Sequence, residues 1–372
     1  MWSVLFATAR GDKTIDRFDC NIQQLSRYIG KAGALTGQIA ITNPAIGARC
    51  QALAGRAGQL TAYVYYGAEL WWGGLVNTTP LTSGRKGVFM DFAAATFESY
   101  LDRREVRADN FWSGIEQVEY LRTAWNTVQN TADGNLGISV PAVTSTGTPR
   151  DLTVLRSEAR TWGSVVKEVS NRAGGYEWII DFYDDGQGNR YRTLNVGYPQ
   201  IGRAQFQQVI TYPGKIVEYT IDRDALAGAT SFQSQGDSVA PPPANGSTSQ
   251  QPLMSTLGAY DATDLLNNGH LRFDATVNRQ GVKDLATLNG YTGQDLAVHG
   301  GAVPIVDISV IPGGFNQSIL GTVFQAQIDD YAFPAGPNGA PGYIGWHRCI
   351  GYEVKPFQHG AVDEIHLIIE PH

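Results

Sequence analysis

The sequence predicts a mainly β protein with an α/β insertion, its strands gathered into two small antiparallel barrels. Three observations carry this. Charged residues are only 17% of the 372, while glycine reaches 43, a balance that suits tight turns better than a helical bundle. Short alternating apolar runs bounded by turn residues recur at both ends of the chain. Long apolar stripes at helical spacing fall in the middle.

The first region spans residues 1–95. Ser3 to Ala7, Gly37 to Thr42, Leu60 to Tyr66, Leu70 to Val76 and Val88 to Phe92 read as strands, and Ile22 to Gly33 as a helical or irregular interruption. Pro44 to Gly58, rich in Ala and Gly, reads as an exposed, turn-rich excursion. Leu60-Thr-Ala-Tyr-Val-Tyr-Tyr66, the Gly67-Ala68 turn and the return through Trp71-Trp-Gly-Gly74 predict a hairpin with a bulge.

Residues 96–205 form the insertion. Ser113-Gly-Ile-Glu116 has capping-box spacing. Val118, Leu121, Trp125 and Val128 then make one apolar stripe, and Trp162, Val165, Val166 and Val169 a second, ended near Gly174-Gly175. Glu177 to Phe182 and Tyr191 to Val196 flank Asp184-Asp-Gly-Gln-Gly-Asn189, a strong hairpin signal. Lys215 to Ile221 alternates again, so about 206–227 is expected to close the first barrel. The Ser, Gln and Pro-rich stretch 228–256 reads as a flexible linker or loop. In 257–372, Ala262 to Asn268 reads as a short helix. Val303 to Val310, Gly321 to Ile328, Gly345 to Val354 and Glu364 to Ile369 supply the second barrel.

The runs ELWWGGLV (69–76), FESYLDRREV (97–106) and GGYEWIIDFYDDGQGNRYRTLNVGYPQIG (174–202) resemble minor tail proteins of long, flexible-tailed bacteriophages of actinobacterial hosts. Within that group the chain is similar to the tail-hub protein, from about Leu35 to the C-terminus. The resemblance implies two tube-like barrels per chain and a homotrimeric ring at the tail tip of the virion, made in the host cytoplasm. It also implies a distal tail protein or tail tube on one side and fibre or receptor-binding proteins on the other. Tape-measure protein and DNA would be met only in passage.

Net charge is −7, from 28 basic and 35 acidic residues, with no basic run for gripping phosphates. Mild acidity suits a conduit through which DNA slides, and equally suits ordinary solubility. Cys20, Cys50 and Cys349 stand far apart, so neither a zinc site nor a disulfide framework is expected. No signal peptide or membrane span is read.

No catalytic constellation stands out, so a non-enzymatic protein without cofactor or metal is expected. The histidines His270, His299, His347, His359, His366 and His372 form no zinc motif, although His347, His359 and His366 could meet on adjacent strands. Asp184-Asp185 and Asp329-Asp330 are paired carboxylates, the first in a turn where Asp is favoured structurally. Gly11-Asp-Lys-Thr14 lacks the rest of a phosphate loop. Candidate subunit or ligand contacts are Trp71, Trp72, Arg103 and Arg104. With Tyr63, Tyr65 and Tyr66, the indoles offer either a sugar-stacking platform or core packing, and so a receptor- or glycan-binding tail module is the competing reading.

Overall fold

The computed structural model describes residues 2–85, 87–143, 145–172, 174–202, 208–239, 251–279, 282–301, 303–312, 317–355 and 363–370. The strands are β1 (Trp2–Thr8), β2 (Thr14–Asp19), β3 (Asn21–Tyr28), β4 (Ala34–Ala40), β5 (Leu60–Tyr66), β6 (Glu69–Thr78), β7 (Leu81–Gly84) and β8 (Gly87–Thr96). Next come β9 (Asn110–Glu116), β10 (Ile138–Ser139), β11 (Pro149–Val154), β12 (Glu177–Asp184), β13 (Arg190–Gly197), β14 (Val209–Tyr212) and β15 (Ile216–Asp224). The rest are β16 (Ser231–Val239), β17 (Gln251–Met254), β18 (Asp274–Asn278), β19 (Val303–Val310), β20 (Val323–Ile328), β21 (Tyr343–Lys355) and β22 (Glu364–Ile369). The α-helices are α1 (Pro44–Leu53), α2 (Gln117–Asn130), α3 (Trp162–Ser170), α4 (Thr263–Asn267) and α5 (Leu285–His299), and Phe97–Arg103 is a 3-10 helix. The protein is therefore mainly β.

Two compact units divide the chain. One is Met1–Glu218 with Ile308–Ile369, the other Tyr219–Asp307 with Glu370–His372.

The first unit is built on one large sheet, in which the order β22-β21-β3-β4-β8-β6-β5-β1-β2 is continuous, β20 adds to β21, β14 adds in parallel to β20, and β7 lies on β8. Strands expected to form two separate barrels thus share a single ladder. Its joint is β21 on β3, antiparallel from Gly351↔Tyr28 to Val354↔Leu25. β2 and β3 are consecutive in the chain yet lie at opposite ends of a seven-strand run, so this part of the sheet curls back on itself. Among the described residues no β2 to β3 ladder closes the curl into a barrel.

The inserted region follows the expected stripes. Val118, Leu121, Trp125 and Val128 of α2 and Trp162, Val165, Val166 and Val169 of α3 are all buried. They share one core with Tyr63, Phe97, Trp178, Ile180 and Phe182, so the insertion is packed against the sheet through its apolar faces. Thr161 caps α3 by accepting from the Ser164 amide at 3.2 Å.

Several local expectations are corrected. Ser113 lies in β9, and α2 begins at Gln117. The carboxylate of Glu116 instead accepts from the Thr146 amide and the Ser145 hydroxyl, at 3.1 and 2.7 Å. The stretch Ile22 to Gly33 contains β3, and Pro44 to Gly58 contains α1, capped by Asn43, whose side chain accepts from the Ile46 amide at 3.0 Å. The stretch 228–256 contains β16 and β17, while 240–250 lies outside the described residues.

In the second unit, β16 is flanked by β17 and β18, and α5 covers it. Asp284 caps α5 by accepting from the Thr287 amide at 2.7 Å. Its contact with β16 is partly polar: the Thr292 hydroxyl donates to Ser234 Oγ at 2.8 Å beside the buried Leu288.

Candidate functional site

The Trp-Trp-Gly-Gly hairpin lies at the centre of the first unit. Val64 pairs with Trp72 and Tyr65 with Leu70, so the hairpin has a bulge, and the structure places it at Trp71. Both indoles are fully buried. Trp71 packs edge-on to Tyr352, with centroids 5.6 Å apart, and its carbonyl accepts from the Tyr352 hydroxyl at 2.6 Å. Trp72 Nε1 donates to the Ser26 carbonyl at 3.0 Å. These contacts bind β6 to β3 and β21 across the joint between the two ends of the chain.

The glycines serve close approach. A Cβ on Gly74 would stand 2.2 Å from the Ala95 carbonyl oxygen and 2.5 Å from the Trp72 ring. On Gly73 it would meet only side chains, Tyr63 and Phe97, at 3.1 to 3.2 Å. The motif therefore puts large rings and bare backbone in one layer. Tyr63 and Tyr65 are buried as well, and half-buried Tyr66 packs on Trp2 with centroids 4.8 Å apart. A buried indole presents no face to a sugar or to a neighbouring chain.

Arg103 is exposed and donates to Asn77 Oδ1 at 3.0 Å. Arg104 is half-buried and donates to the Tyr100 hydroxyl at 2.6 Å. These contacts run to Asn77 of β6 and to Tyr100 of the 3-10 segment, not to either tryptophan.

Sequence reasoning missed a set of buried arginines that hold the β12–β13 hairpin to the sheet. Arg27 donates to the Ile180 carbonyl at 2.8 Å, pairs with Asp181 at 3.4 Å, and lies over the Phe182 ring. Arg192 pairs with Asp12 and reaches the Tyr63 hydroxyl, and Arg190 Nε donates to Asp12 Oδ2 at 2.9 Å. Arg348 donates to Glu177 Oε1 at 3.0 Å and to the Ile201 carbonyl at 2.9 Å. Guanidinium forks suit this work because one side chain bonds several acceptors at fixed angles. No sequence signal separates these arginines from surface ones; their pairing is entirely long-range.

Glu98 completes the junction. It is fully buried and accepts from the Ile180 amide at 2.8 Å. Desolvation pushes its carboxyl above the ordinary range, partly opposed by the Arg27 charge and by hydrogen bonds. Burial likewise pushes the Tyr65 phenol, which donates to Asp184 Oδ2 at 2.9 Å, up to about 12.

The paired carboxylates lie in turns. Asp185 Oδ1 accepts from the amides of Gln187 and Asn189 at 2.8 and 3.1 Å, and Asp330 Oδ1 from those of Ala332 and Phe333 at 2.8 and 2.9 Å, so both carboxylate pairs contribute to turns. His347 is buried with its Nε2 3.0 Å from the Tyr343 hydroxyl, and His359 lies outside the described residues. Among the described residues no three His, Cys, Asp or Glu side chains stand together as a metal site, and no helix is long and apolar enough to cross a membrane.

No family model and no curated protein matches the chain. Solved structures do. A tail protein from Neisseria meningitidis MC58 superimposes with a TM-score of 0.59 at 11% identity, over 100% of this chain and 96% of that one. The 43 kDa tail protein of prophage MuSo2 from Shewanella oneidensis gives 0.55 at 10% identity, over 98% of each chain. A chain of the Francisella PdpA-VgrG complex gives 0.56 at 6% identity, over 100% of this chain and 58% of that one. The chain has the fold found in phage tail proteins.

Proposed function

We propose that this chain is a structural, non-enzymatic hub of a long-tailed phage, three copies of which form a ring at the tail tip. In this reading the N-terminal strands and the strands around β21 are two tube-like modules. The ring joins the tail tube or distal tail protein to fibre or receptor-binding proteins, and its lumen passes tape-measure protein and DNA during ejection. An actinobacterial host and a virion location follow from the same reading.

One observation supports it most: the β21 to β3 ladder makes a single sheet out of the two ends of the chain. A molecule that already carries two modules edge to edge leaves only its outer edges to be guarded by its own side chains or satisfied by further copies, and closed symmetry removes those that stay exposed. The fold shared with tail proteins agrees with this. The glycan-binding reading loses its platform, since Trp71 and Trp72 are buried. The test is the solution mass by light scattering over a range of concentrations, with the tail-tube partner added in a second series. A mass near three times 40.3 kDa is expected for the chain alone or, in the second series, three copies of it per complex once the partner's mass is subtracted; a chain that stays monomeric in both refutes the ring.

A further inference from the structure

We propose that the outer edge of β2 is a latent docking edge for β2 of a second copy of this chain, held shut by Arg49 of α1. Among the described strands β2 pairs only with β1. Its backbone groups at Arg17 face away from β1 and are met by side chains. The Arg17 amide donates to Asp16 Oδ1 at 2.8 Å, and the Arg17 carbonyl accepts from Arg49 Nη2 at 2.9 Å. The same guanidinium holds Asp16 through Nε at 2.7 Å and lies 4.4 Å above the Phe18 ring. One side chain from a neighbouring helix thus sits where the next strand of a ladder would lie.

That cover is local. The rest of α1 buries only Cys50 and Leu53, and an open groove of about 690 Å³ runs beside the edge, bordered by Phe18, Ile39, Ile46 and Arg49. Side-chain guards of this kind are a standard protection of strand edges, and they imply what the bare edge would do.

The charge pattern selects a second copy as occupant. The Cys20 amide donates to the Trp2 carbonyl at 3.3 Å, so alternation turns the Asp19 amide outward, like that of Arg17. An antiparallel pairing of two β2 strands about Phe18 sets Arg17 of each copy opposite Asp19 of the other. Arg17 now donates to Ser3 Oγ at 2.7 Å and to the Gly67 carbonyl at 3.2 Å, and Phe18 is buried beneath Arg49; once Arg17 swings across to Asp19 of the other copy, both hydrogen-bonding pairs are ion pairs, a self-complementary two-fold contact.

The experiment compares weight-average mass by light scattering for the full-length wild type, Arg49→Ala, and Arg49→Ala with Asp19→Pro, at matched concentrations. Arg49→Ala is expected to double the mass of the wild-type species as concentration rises. Adding Asp19→Pro, which deletes an outward amide without touching the β1 ladder, is expected to restore the wild-type mass. Should Arg49→Ala lose its native circular dichroism, Arg49→Lys, which lacks the fork, is measured in its place and must show the doubling. A folded variant with unchanged mass, or a doubling that survives Asp19→Pro, overturns the proposal. If the wild type is a trimer, each ring carries three β2 edges and the mass rises at least twofold, so the reversal by Asp19→Pro is the readout that holds for either oligomeric state.

Discussion

Replacing Gly74 by alanine tests the claim that the hairpin glycines exist for close approach rather than for turning. The added Cβ would lie 2.2 Å from the Ala95 carbonyl oxygen, about 1 Å inside normal contact for such atoms. Neither neighbour yields easily. Ala95 belongs to β8, which is paired with β4 and β6 on its two sides, and the Trp72 ring at 2.5 Å is tied by its Nε1 to the Ser26 carbonyl. Overpacking of this kind costs about 1–3 kcal/mol. At Gly73 the nearest atoms are side-chain rings at 3.1 Å or more, which must give by only a few tenths of an ångström, so a cost under about 1 kcal/mol is expected there. Guanidinium unfolding followed by tryptophan fluorescence reads the difference. For a slope of about 4 kcal/mol per molar, 2 kcal/mol moves the midpoint by about 0.5 M. A Gly74→Ala midpoint equal to that of the wild type, or one less shifted than Gly73→Ala, would refute the close-approach argument.

Trp72→Ala removes a fully buried indole and its hydrogen bond, so a loss of about 3–5 kcal/mol is expected, measured by the same unfolding curves; a fully stable variant would mean the ring is not a core residue. Glu98 supplies a pH prediction. Its carboxyl is raised in the folded state by desolvation, so the folded protein binds its proton more tightly than the unfolded chain does. That contribution is full below the unfolded value of about 4.3 and is lost as pH rises through the raised folded value. Glu98→Gln should therefore gain stability relative to the wild type as pH increases from 4 to 8; a difference that stays flat over that range counts against a desolvated carboxylate.

What was legible in the sequence was whatever depended on neighbours along the chain. The stripes of α2 and α3 follow from helical spacing, the β12–β13 hairpin from its Asp-Gly-Gln-Gly-Asn turn, and the bulged β5–β6 hairpin from its alternating runs and the Gly67-Ala68 turn. β3 was hidden because its inward positions include Arg27, whose charge reads as exposed, and because a register shift between Ile22 and Gln24 breaks the alternation. α1 buries only Cys50 and Leu53, and α5 only Leu288 and Thr292, so neither carries a stripe to read. The indoles were ambiguous for a related reason. Successive strand residues normally face opposite sides, and only a structure with both sides covered, plus the bulge, buries the pair.

The joint between the ends of the chain shows why such sites escape local reading. Tyr352 reaches the Trp71 carbonyl across 281 positions, and Arg27 reaches the Ile180 carbonyl across 153. Loop closure over such separations is costly in entropy, though the cost grows only slowly with length, so it must be repaid by interactions that no alternative pairing satisfies. Buried charge does this asymmetrically. A guanidinium with its acceptors in place contributes little net stability, whereas one left unpaired costs several kcal/mol. Arg27, Arg192 and Arg348 therefore act less by strengthening the native packing than by penalising every register of β3, β13 and β21 that would bury them without their carboxylates and carbonyls. For the ring proposed above, that selectivity would position the edges that copies share, because those edges belong to the same sheet whose register the arginines fix.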